Sequence, residues 1–356
     1  MSFAGPHTSR LRDFLSRRRG LVSILIVGIA LAGATAFSLV GEPDKKPATP
    51  SPVAPAPVPL PDRAPEAPVV KGGALFGVST SPGNRSFEAE KKAVERLEAQ
   101  LGRTIDINHN FYAWDEEFPT EAERWDLQSG RVPLISWNGK DIPSSEIAAG
   151  DQDRLIADRA LGVKALGQPV LIRWFWEMDG NKKRVWAGTP ADYIAAWRHI
   201  VNVFRARGAT NVEWVWCPNA SAFSDGEAQA FYPGDGYVDW VCADGYNWAP
   251  GRPGDDWRSF QDIFAAFYDW ASQKNKKIMV GEFGVQERSG DDKARWVEDA
   301  RTTLKRKFPL IKAVVYFNAN ADYDWRMNSS PSASQAFKDM ANDPWFKVAV
   351  KGRLPE

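Results

Sequence analysis

Eight short runs of apolar and β-branched residues, separated by longer stretches with apolar residues three and four apart, constrain the fold of this chain more than any other feature. The runs fall at 75–79, 104–110, 132–137, 169–174, 212–216, 238–243, 277–282 and 312–317. Helical periodicity occupies 87–101, 151–166, 190–206, 259–274 and 293–308, and Thr189-Pro190 is a good helix start, a capping hydroxyl followed by proline in the first turn. A strand followed by a helix pairs in parallel with the next strand, because the crossover must return along the face of the sheet. Eight such units predict an α/β fold, a (β/α)8 TIM barrel over 72–350. An open doubly wound sheet is the rival. Against it, no Gly-x-Gly-x-x-Gly follows the first run and no P-loop occurs.

The residues before the barrel are of another kind. Residues 1–20 carry Arg10, Arg12, Arg17, Arg18 and Arg19 against the single acid Asp13, a basic region expected to stay in the cytoplasm. Residues 21–40 contain no charge, which is long enough to cross a bilayer or to form a signal-peptide core. Ala34-Thr35-Ala36 would serve as a cleavage site, and Ser16-Arg17-Arg18 is faintly like a twin-arginine start. Anchor and signal peptide both place the barrel outside the cytoplasm, and the membrane is a partner only if 21–40 stays uncleaved. Residues 41–71 hold 10 of the 25 prolines, all between Pro43 and Pro68, and read as a semi-rigid linker.

Composition removes several function classes. The 45 basic and 45 acidic side chains cancel, so no basic face for nucleic acid is evident. The 3 histidines, His7, His109 and His199, are scattered, so neither a His-built metal site nor a cofactor is expected. Acid–base chemistry is left to carboxylates. The 16 Trp, all beyond residue 113, add flat amphipathic rings that suit sugar faces, although most Trp in any protein only pack in cores.

In a barrel, catalytic groups sit where strands end. The runs end in Asn108-His109-Asn110, Trp137-Asn138, Trp176-Glu177-Met178-Asp179, Pro218-Asn219, Asp244-Gly245-Tyr246-Asn247-Trp248, Glu282 and Asn318. Glu177 and Glu282 stand out, since hydrolysis of a glycosidic bond needs a proton donor and a carboxylate facing the anomeric carbon. Glu177 lies among Trp174, Phe175, Trp176 and Met178, apolar neighbours that favour a proton-donating role. Glu282 lies between Gly281 and Phe283-Gly284, where a substrate has room to approach. Tyr246 is a candidate hydrogen-bond donor to Glu282, and Arg173 a candidate charge balance for the pair. Taken singly, each has a plainer reading: a rim carboxylate, a core tyrosine, an arginine neutralising a buried acid. Asp244 is open between binding sugar and binding an arginine. Asp239 reads as structural, Glu213 as neutralised within the barrel, and 115–117 as a solvated loop. Cys217 and Cys242 fall on neighbouring strands, where register decides between a bridge and two buried thiols; the thiols are the expectation.

These same segments resemble glycoside hydrolase family 26, retaining (β/α)8 enzymes best known as β-mannanases. The resemblance runs from about Leu75 to Phe337. It is carried by PLISW (133–137), PVLIRWFWEMDG (169–180), YIAAWRHIVNVFRARGATNVEWVWCPN (193–219), YPGDGYVDWVCADGYNW (232–248), KIMVGEFG (277–284) and IKAVVYFN (311–318). It implies Glu177 as acid/base, Glu282 as nucleophile and Tyr246 as the nucleophile's partner. Sugar contacts are expected from Trp137, Arg173, Trp176, Trp186, Asn219, Trp248 and Asn318. Two positions depart from the family pattern: Trp176 stands where a sugar-contacting His is usual, and Asp179 where Asn is usual. The expected substrate is a β-linked polysaccharide, whether mannan, mixed-linkage β-glucan, β-1,3-xylan or a bacterial exopolysaccharide, handled by a monomer. Two rivals are a surface carbohydrate-binding protein on a retired barrel and a purely structural anchored domain. Neither needs both Glu.

Overall fold

The computed structural model describes residues 73–347, apart from 82, 83, 85, 181 and 182. The expectations for 1–20, 21–40 and the linker 41–71 therefore lie outside the described residues. None of the described helices is long and apolar enough to cross a membrane. Eight parallel strands close into a barrel in sequence order. They are β1 (Leu75–Thr80), β2 (Ile107–Tyr112), β3 (Val132–Trp137), β4 (Val170–Trp174), β5 (Val212–Trp216), β6 (Trp240–Asn247), β7 (Lys277–Val285) and β8 (Ile311–Asn318). β1 closes the ring on β8, Leu75 opposite Ala313 through Thr80 opposite Asn318.

The helices pack outside this ring. They are α1 (Phe87–Leu101), α2 (Glu121–Gln128), α3 (Ser144–Ala149), α4 (Asp153–Leu166), α5 (Arg184–Ala187), α6 (Pro190–Ala206), α7 (Glu227–Ala230), α8 (Phe260–Ala271), α9 (Asp292–Arg306) and α10 (Pro331–Ala341). Thr189 caps α6 as its spacing suggests: its side chain accepts from the Asp192 N–H, and its own N–H donates to the Asp192 carboxylate. α2, α3 and α10 were not anticipated. α2 has few apolar residues, because its inner face buries the charged Glu123 and Asp126, the latter paired with Arg131 at 2.8 Å.

Strand alternation sorts side chains into two layers. Leu75, Ile107, Leu134, Leu171, Val215, Trp240, Met279 and Val315 fill the barrel interior. Ile135, Trp137, Val170, Ile172, Trp174, Trp214 and Trp216 point outward into the shell beneath the helices. β6 and β7 run four and three residues past their expected ends, and this extension carries the mouth of the barrel. The shared register breaks there: Ala243 faces Val280, but Asp244 faces Glu282, leaving Gly281 as an extra residue. This bulge reverses the parity of β7, whose outward residues are Ile278 and Val280 before it and Phe283 and Val285 after it. Only because of it does Glu282 turn inward.

The two cysteines correct the expectation of free thiols. The Cys217 and Cys242 sulfurs are joined, with Cα atoms 4.4 Å apart. The bridge lies directly under the bulge. A Cβ on Gly281 would stand 2.3 Å from the Cys242 sulfur and 2.9 Å from Asp244 Oδ1, so only glycine fits.

Candidate active site

Arg173 organises the site. It is the inward residue at the end of β4, and its side chain is fully buried. Its Nε donates to Ser136 Oγ at 2.7 Å, and its Nη1 reaches both Asp244 oxygens at 2.9 and 2.7 Å. Its Nη2 donates to Glu282 Oε1 and to His109 Nε2, the latter at 3.2 Å. Arg173 Nη2 can only donate, so His109 Nε2 accepts from it, and the Ser136 hydroxyl 2.7 Å away donates to the same nitrogen. The imidazole is then an acceptor at Nε2. Burial and the Arg173 charge push its pKa well below the ordinary value, which agrees with a neutral ring. Burial opposes the charge on Arg173 itself, but the Asp244 and Glu282 carboxylates outweigh it and raise its pKa. Burial drives the Asp244 carboxyl well up, against the pull of Arg173.

Glu282 thus receives a cation on one oxygen. The Tyr246 hydroxyl donates to the other, Oε2. Two donors fix the carboxylate and complement its charge. Burial, followed by the charge of Glu282, raises the Tyr246 pKa well above the usual phenol range, so it remains a donor.

Glu177 comes from the turn after β4. It adopts φ 53°, and Phe175 two residues earlier has φ 44°. Left-handed backbone at two non-glycine residues is costly and tends to persist where a side chain must be aimed. The turn is held by the Glu177 N–H donating to the Cys217 carbonyl at 2.8 Å. The surroundings are less apolar than the sequence suggests: the side chain is about a quarter exposed, with Lys183 Nζ 3.1 Å from Oε2. Trp174 turns away and stacks on Tyr193 at 5.2 Å, and Phe175 and Met178 are buried in the outer shell. Trp176 packs inward against the barrel core.

The remaining predicted residues divide. Trp248 lies 5.0 Å from Tyr246 and, with Asn219, Asp244 and Tyr246, lines a cleft of about 390 Å³ that also includes Arg252 and Arg258. Asn219 holds Asp179, its backbone and side-chain N–H groups donating at 3.0 and 2.9 Å. Asp179 is nearly buried, and burial raises its pKa despite those bonds. Trp137 is corrected: it is fully buried in the outer shell, stacked on Trp114 at 4.4 Å and donating to the Trp114 carbonyl. Trp186 is half-buried on α5 and packs against that shell. Asn318 accepts from the Met327 N–H at 2.8 Å and borders a separate hollow with Ser81, Lys92 and Arg96.

Two further aromatic rings, Phe111 and Phe317, stand near the mouth. Phe111 lies 5.3 Å from Trp176 and 6.2 Å from Phe317, which is 6.1 Å from Tyr246. Phe111 and Phe317 each follow an inward residue by two positions, so alternation along the strand would have found them. Glu213 is neutralised by Lys277 at 2.8 Å, and Asp239 accepts from the Trp214 N–H at 2.9 Å, both as expected. Asp244 binds an arginine.

Comparisons with known proteins bear on the family and the fold. The model of glycosyl hydrolase family 26 matches residues 146–346. Endoglucanase H of Acetivibrio thermocellus is 34% identical over 264 residues, 71% of this chain and 29% of that protein. The β-1,3-xylanase TXYA of a Vibrio species is 26% identical over 61% of this chain and 48% of its own length. The chain thus spans less than half of either relative. A mannan endo-1,4-β-mannosidase of Bacillus subtilis is 26% identical over 60% of this chain and 57% of that protein. Among solved structures, an endo-β-1,4-mannanase double mutant of Cellulomonas fimi superposes with a TM-score of 0.58 at 18% identity, covering 80% of this chain and 74% of the other. A family 26 β-mannanase of Bacteroides ovatus gives 0.55 at 17%, covering 77% and 90%. At such identities these two speak for the fold. By the family model and the relative at 34% identity, the chain belongs to glycosyl hydrolase family 26.

Proposed function

We propose that this chain is a retaining glycosidase that cleaves a β-linked polysaccharide outside the cytoplasm. The observation that carries the reading is Glu282, buried at the barrel mouth with Arg173 on one oxygen and Tyr246 on the other, together with the partly exposed carboxylate of Glu177 after β4. In the first step a Glu282 oxygen attacks the anomeric carbon. The bond from that carbon to the leaving oxygen breaks, and Glu177 gives its proton to that oxygen. In the second step a water oxygen attacks the same carbon, Glu177 takes a water proton, and the ester to Glu282 breaks. Arg173 and Tyr246 then again face a free carboxylate. Retention requires carboxyls roughly 5–5.5 Å apart.

A β-glucan is the first substrate to test. The relative at 34% identity is named an endoglucanase. In addition, an indole at Trp176 replaces the imidazole that the family resemblance associates with sugar hydroxyls. The experiment is release of reducing ends from mixed-linkage β-glucan, β-mannan, β-1,3-xylan and bacterial exopolysaccharide, with Glu282→Ala as control. Release by the wild type that Glu282→Ala abolishes supports the reading. Binding without release would favour a carbohydrate-binding protein on a retired barrel.

A further inference from the structure

We infer that Lys183 is a positioning residue for Glu177, aiming its carboxylate and stabilising its charged form, so that it serves Glu177 as base and opposes it as acid. This rests on the role proposed for Glu177. Lys183 begins the turn into α5, and its backbone is fixed by its N–H donating to the Gly180 carbonyl at 2.8 Å. From there its ammonium makes three contacts. It donates to Glu177 Oε2 at 3.1 Å and to the Trp176 carbonyl at 3.0 Å, and it stands 4.0 Å from the centre of the Trp176 ring. One side chain thus ties the strained 175–177 backbone, the indole and the carboxylate together. An ammonium has three donors and a compact charge, which suits such a junction.

The charge has a consequence for the two half-reactions. Glycosylation needs Glu177 protonated, whereas deglycosylation needs it ionised. A cation in contact favours the ionised form. The other charged and titratable groups that act on Glu177 are fixed by the barrel: Arg173 from β4, Asp244 and Tyr246 from β6, and Asp179 from the same turn. Lys183 also acts on Asp244, and Glu282 completes the surrounding set of carboxylates. Lys183 is the member of this set in the turn just before the short helix α5, about a quarter exposed, and can be changed without opening the core.

The test compares wild type, Lys183→Met and Lys183→Arg by carbon NMR of Glu side-chain carboxyls, with Glu177→Gln identifying the Glu177 signal. In Lys183→Met the Glu177 signal should change its protonation at higher pH than in wild type, because a contacting cation is lost. Lys183→Arg should reverse most of that change. An unmoved signal in Lys183→Met overturns the inference whether or not the protein hydrolyses anything. With a hydrolysed glycan in hand, the alkaline limb of kcat/KM should rise in parallel. Glycosides whose leaving group needs no proton should show no change in the glycosylation step. Movement of the signal in a protein that hydrolyses no glycan would sustain Lys183 and instead refute the proposed activity.

Discussion

Replacing Arg173 by methionine isolates what the buried cation does. The change keeps a long apolar stem and removes every bond to Ser136, His109, Asp244 and Glu282. Two carboxylates are left close together, Asp244 at 2% and Glu282 at 5% exposure. Breaking a buried ion pair from one side costs about 3–5 kcal/mol. For a domain of this size that corresponds to a melting-point drop of roughly 6–20 °C near neutral pH. The loss should depend on pH. Asp244 already has its pKa raised by burial, and losing Arg173 raises it further. A carboxyl whose folded pKa lies above its unfolded value contributes stability below about pH 4, and loses it as pH rises through the folded value. The deficit against wild type should therefore be smallest in acid and widen toward neutrality. Thermal unfolding across that range measures it. The double variant Arg173→Met/Asp244→Asn supplies the coupling: it should lose clearly less stability than the sum of the single changes. Strict additivity, or an Arg173→Met protein that melts within about 1 °C of wild type at every pH, would refute the assignment of Arg173 as counter-charge.

Other outcomes follow from single contacts. Tyr246→Phe removes one donor to Glu282 and should cost about 10- to 1,000-fold in kcat, with the fold intact by circular dichroism. Gly281→Ala puts a methyl against the disulfide and Asp244, so it should destabilise by about 1–3 kcal/mol in denaturant titration and abolish glycan hydrolysis by displacing Glu282. The Asp126 carboxyl is pushed up to about 6, by burial against the pull of its bonds from Arg131 and Asn108. Its contribution to stability is full below about pH 4 and is lost as pH rises through 6, and Asp126→Asn should remove that component from unfolding free energies measured between pH 4 and 7. Thiol counting on the unfolded, unreduced protein should find no free cysteine, since Cys217 and Cys242 are joined.

Much of this architecture is legible without coordinates. The eight apolar runs alternating with helices point to the barrel, and the missing glycine motifs turn the choice away from an open sheet. Glu177 and Glu282 are legible because acids are conspicuous at strand ends. What escapes is set by tertiary contact. The bulge at Gly281 cannot be read from β7 alone, since it exists only against β6. Trp137 looks like a sugar contact and Trp174 like an apolar neighbour of Glu177 in sequence, yet strand parity sends both outward under helices, to Trp114 and Tyr193. The bridge between Cys217 and Cys242 required a register that sequence does not supply. Lys183 carries no such signal, because it lies well past the strand end, just before α5, and only folding of the 175–180 turn brings it to Glu177.

The most direct test of the paired carboxylates is the configuration of the first sugar released. Proton NMR during the opening minutes of hydrolysis of a β-linked glycan distinguishes the anomers before mutarotation. Double displacement through Glu282 gives the β anomer first, and the α anomer appearing first would contradict it.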